Sequence, residues 1–313
     1  MAESKVTARV APVSVLSPKI VIVGAGGRLG RALARIYGET QEVVSFNHAE
    51  LDLADVDGMR ARLEPLTFDV LVNCAAQTNV DRCETHPEEA FALNAEAPGI
   101  LAEICLTKGA RLIQISTDYV FDGAKTEPYS EDDEANPISV YGASKREGEK
   151  RVLAVAESHL VVRVSWVFGP DRPSFVDWVV QQARAHKHVE AIADKIATPT
   201  YTLDLAELLR PLFAPDAAGG LLHVANSGEC SWREYGQWAV DCCLAEGVPL
   251  RARTVGAIAL ADMKNFIARR PAYTVLSTRK YSALTGFTPR SWRDAVAEYS
   301  RNYLSAAEQT TAG

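Results

Sequence analysis

Short apolar runs alternate with helix-like patterns along the first half of the chain. We predict strands at residues 19–23, 43–46, 69–73, 111–116, 160–165 and 221–224. The spacing of apolar positions between them predicts helices around 28–37, 56–64, 87–108 and 140–157. This alternation is typical of a parallel sheet with helices on both faces. We therefore expect an α/β fold with a doubly wound, Rossmann-type parallel sheet, whose ligand site lies beyond the carboxyl ends of its strands.

The alternation becomes looser after about residue 170, where helix-like patterns lie at 175–186, 203–213, 231–245 and 292–304. The third of these begins with Ser231 and has Glu234 three residues later, which is a capping box. We predict a dinucleotide-binding domain at residues 18–170, with its sheet completed by parts of 188–225. A smaller, discontinuous C-terminal domain at 171–313 is predicted to bind mainly substrate. Residues 1–17 are interpreted as a flexible leader.

Composition and charge argue against several classes of protein. The hydrophobic content of 47% supplies an ample core, and the net charge of −7 argues against a nucleic-acid surface. No apolar run approaches the roughly 20 residues of a membrane span, so we expect no membrane partner. The six cysteines form no C-x-x-C pair, which fits a reducing cytoplasm, and nothing resembles a metal cluster. We therefore expect a cytoplasmic protein without a bound metal.

A glycine-rich turn stands between the first predicted strand and the first predicted helix, in the stretch PKIVIVGAGGRLG at residues 18–30. Gly24, Gly27 and Gly30 have the spacing G-x-x-G-x-x-G. The first glycine permits a tight turn, the second lets backbone N–H groups approach a pyrophosphate, and the third lets the helix pack close to the strand. These features favour a dinucleotide with its pyrophosphate at the helix N-terminus over an ordinary strand-to-helix turn.

Tyr141 and Lys145 are four residues apart on a predicted helix and therefore share one face. A tyrosine with its ordinary pKa of about 10 donates a proton slowly near neutrality. An adjacent ammonium is expected to stabilise the phenolate and to lower that pKa. The pair suits protonation of an oxygen that gains charge when hydride arrives at its carbon. A surface Tyr–Lys pair is the alternative, but this one follows a nucleotide motif.

The stretch STDYVFDG at residues 116–123 ends a predicted strand. Thr117 is placed to donate a hydrogen bond to the same carbonyl oxygen as Tyr141, and Asp118 is placed to hold a substrate hydroxyl. An ordinary strand exit is the alternative, because Ser, Thr and Asp also form turns.

These elements, in this order, resemble the extended short-chain dehydrogenase/reductase family, and the resemblance covers nearly the whole chain. Asn73–Ala76 is similar to the family's N-x-A-A turn beneath the nicotinamide end of the cofactor, and Asp52 in LDL is similar to its adenine contact. Asn94 is similar to the helix asparagine that completes the proton-relay tetrad. As alternatives, Asn94 bridges backbone groups and Asp52 caps a helix.

Further stretches resemble the branch of this family that reduces dTDP-4-dehydro-L-rhamnose to dTDP-L-rhamnose. They are AAQTNVD at 75–81, residues 116–123, EDD at 131–133, RVSWVF at 163–168, Pro199-Thr200, DLA at 204–206, Ser231-Trp232 and Arg270-Pro271. The resemblance implies hydride transfer to the sugar C4 and protonation of O4 by Tyr141. It also implies substrate contacts by Val80, Asp118, Val120, Phe121, Trp166, Thr200 and Arg270. Trp166 is expected against the sugar, or equally as a strand-end core residue.

The chain departs from this branch in its substrate half. DKIA at residues 194–197 stands where the branch usually has D-Q-x-G, and AYTVLS at 272–277 replaces its usual asparagine–serine and aspartate. These changes bear on the nucleotide and the sugar, and not on the redox core.

The second predicted strand ends in Ser45-Phe46-Asn47-His48 and carries no carboxylate to hold the ribose of NAD. Arg28 in the glycine turn is suited to pair with a 2′-phosphate, or is otherwise a solvated arginine at the helix start. We therefore expect NADPH, with NADH tolerated. The predicted cofactor-binding residues are Gly24, Gly27, Arg28, Leu29, Gly30, Asn47, Asp52, Leu53, Ala75, Ala76, Thr78, Tyr141 and Lys145.

The leading hypothesis is a reductase of a nucleotide-linked 4-keto sugar, with a homodimer as the family-level expectation. One alternative is a non-catalytic regulatory subunit, because the family includes the β subunit of methionine adenosyltransferase. Another is a reductase or epimerase of a different nucleotide sugar. The intact set of Thr117, Tyr141 and Lys145 favours an enzyme.

Overall fold

A computed structural model describes residues 17–305, so all but the last residue of the predicted leader lies outside the described part. The strands, in chain order, are β1 Ile20–Val23, β2 Val43–Phe46, β3 Val70–Asn73, β4 Arg111–Thr117, β5 Leu160–Val164, β6 Val167–Phe168, β7 Val189–Ile192, β8 Ile196–Ala197, β9 Thr200–Tyr201, β10 Gly220–His223, β11 Cys230–Ser231 and β12 Val255–Ile258. The α-helices are α1 Arg28–Gly38, α2 Val56–Leu63, α3 Val80–Thr85, α4 Pro87–Phe91, α5 Ala97–Thr107, α6 Val140–Val155, α7 Phe175–Ala185, α8 Thr202–Leu209, α9 Trp232–Ala245, α10 Arg279–Thr285 and α11 Trp292–Tyr299.

The six predicted strands form one parallel sheet in the order β10-β5-β4-β3-β1-β2. Every residue of β1, β3 and β5 is buried, as expected for strands covered on both faces. The chain order reverses between β1 and β3. In open α/β sheets, such a reversal places a crevice outside the carboxyl ends of the two strands. The α/β prediction of a doubly wound, Rossmann-type sheet is confirmed.

Two separate apolar clusters cover the two faces of the sheet. One contains Leu33 and Tyr37 of α1 together with Leu205 of α8. The other contains Leu101 of α5 and Val152 of α6. Burial of apolar surface on both faces is the main favourable contribution to the stability of this layered arrangement.

The predicted helix at 87–108 is interrupted, which is a correction to its predicted continuity. A π-helical turn, Ala92–Glu96, separates α4 from α5. Pro98 has no N–H to donate to the carbonyl of Asn94, so regular α-helical bonding cannot continue through this point. The periodicity did not predict the short helix α3, which is capped by Asn79: its side chain accepts a hydrogen bond from the Arg82 N–H at 3.0 Å.

The later part of the chain forms a second body of helices with short strand pairs. β12 pairs with β7, β11 with β8, and β6 with β9. Its core is rich in aromatic residues, including Phe168, Tyr201, Tyr235, Trp292 and Tyr299. The chain between residues 202 and 223 returns to the sheet through α8 and β10, which agrees with a sheet completed from the later sequence.

Candidate functional site

The glycine turn connects β1 to α1 and lies against the end of β3. Gly24 has φ +86°, and a Cβ built on it would lie 2.6 Å from the Ala75 nitrogen. A Cβ on Gly30 would overlap the carbonyl of Gly24. The turn therefore needs glycine at both positions, and it leaves the N-terminus of α1 next to exposed backbone. The cradle fits the pyrophosphate of a dinucleotide, because unpaired helix N–H groups attract an anion.

The end of β2 is built from local hydrogen bonds. The Asn47 side chain accepts from the Ala49 N–H at 2.9 Å, and the Glu50 carboxylate accepts from the Asn47 N–H at 2.9 Å. Asp52 accepts from the Ala54 N–H at 2.9 Å, and Leu53 is buried. Asp52 thus forms a local turn contact and does not cap a helix as the alternative had it, because Asp55 is the N-cap of α2; the adenine contact of Asp52 stays a prediction.

Arg28 does not extend freely towards solvent. Its guanidinium donates to the carbonyls of Val167 at 3.1 Å, Arg172 at 3.1 Å and Pro173 at 2.5 Å. Burial lowers the pKa of Arg28, although Asp177 opposes this. The solvated-arginine interpretation is therefore wrong. The side chain fastens the glycine turn to residues 167–173, and pairing with a 2′-phosphate stays a prediction.

Thr117, Tyr141 and Lys145 come together where β4 ends and α6 begins. Tyr141 packs on Tyr119, the second residue after Thr117, with ring centroids 5.6 Å apart, and the Lys145 Nζ donates to the Ile115 carbonyl of β4 at 2.7 Å. Lys145 is buried, and Tyr141 is partly buried with its ring packed on Tyr119. The surface-pair alternative is therefore wrong. The arrangement places a proton donor, a hydroxyl and an ammonium at the crevice beyond the strands.

The expected lowering of the Tyr141 pKa by Lys145 is wrong for this structure. Burial raises the pKa of Tyr141, and the hydrogen bond with Thr117 opposes that rise. Burial also lowers the pKa of Lys145 to about 8, with Glu149 opposing. The reason is that desolvation penalises each charged form and outweighs the neighbouring charges.

Asn94 lies in the π-helical turn and bridges two parts of the site. Its Oδ1 accepts from the Gln77 N–H at 2.8 Å, and its Nδ2 donates to the Gln77 carbonyl and the Ser144 hydroxyl, both at 3.0 Å. This is the backbone-bridging alternative. It fixes the loop that contains Ala76 and Thr78 against α6, and the proton-relay role of Asn94 stays a prediction.

Asp118 is buried directly after Thr117. It accepts hydrogen bonds from the Thr117 hydroxyl at 3.1 Å and the Ser165 hydroxyl at 2.9 Å. Burial raises its pKa, and Lys195 opposes this rise. Sequence reasoning missed Lys195 as a site residue. The available signal was the departure of DKIA from the branch pattern.

A buried ion pair lies behind Lys145, one turn further along α6. Glu149 is 0% exposed and Arg163 is 1% exposed. Glu149 also accepts from the Ser116 hydroxyl at 2.7 Å. Sequence reasoning did not select either residue, although Arg163 begins one of the stretches that carry the resemblance. The carboxylate connects the Tyr–Lys helix to β4 and β5.

Three predicted substrate contacts are corrected by burial. Val120, Phe121 and Thr200 are each 0% exposed. Phe121 stacks on Tyr129 with ring centroids 4.0 Å apart, and the Thr200 hydroxyl donates to the Thr198 carbonyl at 3.3 Å. These side chains fill core positions, because the chain turns inward after the crevice.

Two other predicted substrate residues, Val80 and Arg270, lie where helix α3 contacts residues 267–270 of the later chain. Val80 begins α3, and Arg270 forms an ion pair with Asp81 at 2.9 Å. Asp81 also accepts from the N–H groups of Ile267 and Ala268, both at 2.9 Å. The Arg270 guanidinium therefore fastens residues 267–270 to α3.

Trp166 follows β5 and has φ +43°, the one non-glycine residue with positive φ between residues 17 and 305. Its ring lies 4.8 Å from that of Tyr235, 5.1 Å from Trp232 and 5.5 Å from Phe175. Trp166 is only partly buried. The packing supports the core interpretation of Trp166, while its backbone strain occurs at the end of a strand beside the crevice.

Two negative findings apply to the part of the chain that the structure describes. No group of three or more His, Cys, Asp or Glu residues there is arranged to hold a metal ion. No helix there is long and apolar enough to cross a membrane.

Comparison with known proteins identifies the family. Residues 18–305 match the family described as RmlD substrate binding domain. A dTDP-4-dehydrorhamnose reductase from Mycolicibacterium smegmatis is 38% identical over 294 residues, covering 93% of this chain and 87% of that protein. A probable dTDP-4,6-dihydroxy-2-methyloxan-3-one 4-ketoreductase from Streptomyces antibioticus is 36% identical over 294 residues, covering 93% and 97%.

A solved structure of a related protein has the same fold over most of the chain. The dTDP-4-dehydrorhamnose reductase from Bacillus anthracis, crystallised in complex with NADP, superimposes with a TM-score of 0.82 at 28% identity. The superposition covers 92% of this chain and 99% of that one. The family match, the identity to the relatives and the shared fold agree, and they show that the chain belongs to the RmlD substrate-binding domain family.

Proposed function

We propose that this chain is a reductase that transfers hydride to the C4 keto group of dTDP-4-dehydro-L-rhamnose and yields dTDP-L-rhamnose. NADPH is the preferred reductant and NADH is accepted. The observation that carries the proposal is the grouping of Thr117, Tyr141 and Lys145 at the carboxyl half of β4, two strands away from the glycine turn that follows β1. Relatives named for this reaction support the substrate.

The cofactor is assigned to the crevice at the ends of β1, β2 and β3. Gly24, Gly27, Leu29 and Gly30 form the pyrophosphate cradle at the start of α1. Asn47, Asp52 and Leu53 lie at the adenosine end, and Ala75, Ala76 and Thr78 at the nicotinamide end. Bound NADPH supplies the hydride for the reaction. The close approach of Gly24 to Ala75 supports this assignment, because it brings the turn assigned to the pyrophosphate next to the residues assigned to the nicotinamide.

The protein contributes the proton and the orientation of the keto group. Tyr141 donates its phenolic proton to O4 as that oxygen gains charge, so the hydride and this proton together complete the reduction. The Thr117 hydroxyl, which donates to Asp118 at 3.1 Å, is proposed to turn and donate to O4 when the substrate binds. Lys145 lies one helical turn after Tyr141 and supplies the ammonium of this site, although burial and not Lys145 controls the pKa of Tyr141. Asn94 holds the Gln77 loop in register with α6.

The substrate is assigned to the opening between the sheet and the later chain. Asp118, Val80, Trp166 and Arg270 are assigned to this opening, with residues 18–170 proposed as one of its walls and 171–313 as the other. The side chains of Val120, Phe121 and Thr200 contribute packing behind the wall, as their burial indicates. A homodimer in the cytoplasm completes the proposal.

A second candidate substrate is a different dTDP-linked 4-keto sugar. The Streptomyces antibioticus relative, at 36% identity, is named a probable 4-ketoreductase of dTDP-4,6-dihydroxy-2-methyloxan-3-one. The departures at 194–197 and 272–277 lie in the substrate half and bear on this choice. The proton-donating machinery is the same for both substrates, so only the sugar pocket distinguishes them.

The test is a panel of nucleotide sugars with NADPH and NADH, followed by the loss of reduced-nicotinamide absorbance. We expect the largest kcat/KM with NADPH and dTDP-4-dehydro-L-rhamnose. Light-scattering measurement of the mass in solution tests the homodimer. Absence of turnover with every sugar, together with intact NADPH binding, would favour the regulatory-subunit alternative. A larger kcat/KM for another 4-keto sugar would replace the substrate while keeping the reaction.

A further inference from the structure

A strap, residues 259–270, runs from the end of β12 to the contact with helix α3. It is fastened near both ends. Close to its start, the Leu260 N–H donates to the Asp194 carboxylate at 2.7 Å. At its end, Arg270 pairs with Asp81 of α3 at 2.9 Å. The strap therefore connects the second body of the chain with the helix that follows the loop assigned to the nicotinamide.

The middle of the strap contains an aromatic ring that packs inward between exposed neighbours. Lys264 is exposed, and Ile267 is 65% exposed. Phe266, between them, is only partly exposed. The guanidinium carbon of Arg270 lies 4.5 Å from the centre of its ring, and the ring of Trp232 lies 6.5 Å away in an edge-on arrangement. Phe266 thus holds the middle of the strap against the start of α9.

Direct contacts connect this ring pair with the proposed reaction centre. The Trp232 ring lies 5.1 Å from the ring of Trp166. The residue before Trp166 is Ser165, whose hydroxyl donates to Asp118 at 2.9 Å. Asp118 in turn directly follows Thr117, which is assigned to the keto oxygen. The ring pair is therefore one aromatic contact beyond Trp166, at the opening assigned to the substrate.

The side chains gathered here have the chemistry that recognises a nucleotide. Aromatic rings stack on nucleobases, because every base has a π face. Lys264 and Arg269 are exposed on the strap and supply cations suited to a diphosphate. A dTDP-linked sugar carries its base and its sugar at opposite ends of a diphosphate. Rings that lie beyond the sugar position, next to cations, therefore fit the base end of such a substrate.

We propose that the exposed parts of the Trp232 and Phe266 rings bind the base of the nucleotide-sugar substrate. The inference rests on the proposed function and adds the place of the nucleotide end, which determines how tightly the substrate binds. The ion pair of Arg270 with Asp81 fixes the end of the strap, so Phe266 is held ready for this contact. Pre-organised rings lose little freedom when the base stacks on them.

Calorimetric binding of dTDP and of NADP⁺ to variants of Phe266 tests the subsite. We expect Phe266→Leu to weaken the binding of dTDP about tenfold, because leucine is apolar but has no flat face for the base. The affinity for NADP⁺ is expected to stay unchanged, since the cofactor lies elsewhere. Phe266→Tyr keeps the ring and is expected to bind dTDP as the wild type does.

Phe287 supplies a matched control. It is 58% exposed and follows α10 in the later chain. Phe287→Leu makes the same change at another exposed ring and is expected to keep both affinities. The inference is overturned if Phe266→Leu binds dTDP as tightly as the wild type, or if Phe266→Tyr loses as much affinity as Phe266→Leu. An equal loss of NADP⁺ affinity would also overturn it, because the effect would then be general.

Hydrogen exchange of the wild-type protein tests the strap without any variant or turnover. Saturating dTDP is expected to slow amide exchange severalfold in residues 259–270, because a bound base suppresses local opening of the strap. Exchange at the exposed residues 186–188 is expected to stay unchanged. Unchanged exchange in the strap with dTDP bound refutes the inference even if the protein reduces the sugar.

The two proposals fail in different ways. Slowed exchange in a protein that binds dTDP and reduces no sugar refutes the proposed function alone. Wild-type protein that does not bind dTDP refutes both, since the substrate and its base subsite are then absent.

Discussion

Arg163 donates two hydrogen bonds to Glu149, Nε to Oε1 at 2.8 Å and Nη2 to Oε2 at 2.7 Å, inside the protein. Such a bidentate pair is strong and directional. Arg146 adds a third contact to the same carboxylate at 3.0 Å. Because Glu149 lies one helical turn after Lys145, this pair anchors the helix that carries the proposed proton donor.

Glu149→Gln is expected to lower the free energy of unfolding by about 3–5 kcal/mol, because it leaves the buried Arg163 without its counter-charge. Denaturant unfolding at pH 7 measures the change. Glu147→Gln is the matched control on the same helix, since Glu147 pairs with Arg151 at the surface at 3.1 Å. The control is expected to change stability by less than about 1 kcal/mol. Similar losses in both variants would show that burial of the pair is unimportant.

Burial of Lys145 makes stability depend on pH. Its pKa falls on folding from 10.5 to about 8, chiefly through desolvation. The unfolded chain therefore holds this proton to higher pH, and the contribution of Lys145 to the free energy of unfolding rises between pH 8 and 10.5. Below pH 8 the burial of the charged lysine lowers the free energy of unfolding by its full amount, on the order of 3 kcal/mol.

Lys145→Met removes this dependence. We expect the variant to gain stability over the wild type at pH 7 and to lose that advantage progressively between pH 8 and 10.5. The compared quantity is the difference in unfolding free energy between the variant and the wild type. The other titrating groups are present in both proteins, so their contributions cancel in this difference. Urea unfolding of both proteins at a series of pH values measures it. A difference that stays constant with pH would contradict the buried, charged lysine.

Tyr141→Phe is expected to lower kcat by roughly 10²–10⁴-fold while leaving the fold and NADPH affinity intact. The phenyl ring keeps its packing against Tyr119, and only the hydroxyl group with its proton is lost. Tyr281→Phe is the control, because its buried hydroxyl donates to the Leu208 carbonyl at 3.0 Å away from the crevice. That variant loses stability and keeps its turnover. Turnover of Tyr141→Phe at the wild-type level would remove Tyr141 from the reaction.

The elements of the sheet were predictable because their signals are local. A buried strand followed by a glycine turn and an amphipathic helix needs no distant information, and all six central strands were predicted to within about two residues. The break in the helix near Asn94 was harder to predict from the sequence. It depends on the missing N–H of Pro98 and on the close packing of Gly148 against the Asn94 carbonyl.

The contacts across the site depend on tertiary structure. Lys195 lies 77 positions after Asp118 in the sequence, and nothing local indicates that Lys195 packs on the ring of Tyr119, the residue next to Asp118. The burial of Val120 and Phe121 was hidden for a related reason. A stretch at the end of a strand is consistent with side chains that face either the ligand or the core, and only the packing on Tyr129 decides between them.

The carbonyl contacts of Arg28 predict that Arg28→Ala weakens the binding of both NADPH and NADH, and pairing with the 2′-phosphate predicts an additional loss for NADPH. The guanidinium bonds to three carbonyls of residues 167–173, so its loss loosens the cradle for either cofactor. Equilibrium binding of both cofactors measures the two factors. Arg35→Ala is the control, because Arg35 contacts the same loop only through Asp171 at the surface, at 3.2 Å. A loss confined to NADPH would instead support direct pairing of Arg28 with the 2′-phosphate.

Trp166→Ala distinguishes a packing role from a sugar-stacking role. The ring contacts Phe175, Trp232 and Tyr235, so we expect a loss of stability approaching the roughly 3–5 kcal/mol of a buried aromatic truncation. Trp178→Ala is the control, because Trp178 is 45% exposed and contacts the same Phe175 ring at 5.9 Å. An unchanged unfolding midpoint with a higher KM for the sugar would establish stacking instead.

The backbone at Trp166 adds a sharper comparison. Glycine ordinarily destabilises a site by about 0.5–1 kcal/mol relative to alanine, because it loses more freedom on folding. At φ +43° the order is expected to reverse, since alanine is strained in the left-handed region and glycine is not. Trp166→Gly is therefore expected to unfold at a higher denaturant concentration than Trp166→Ala. If alanine is the more stable substituent, the positive φ is not a property of the folded protein.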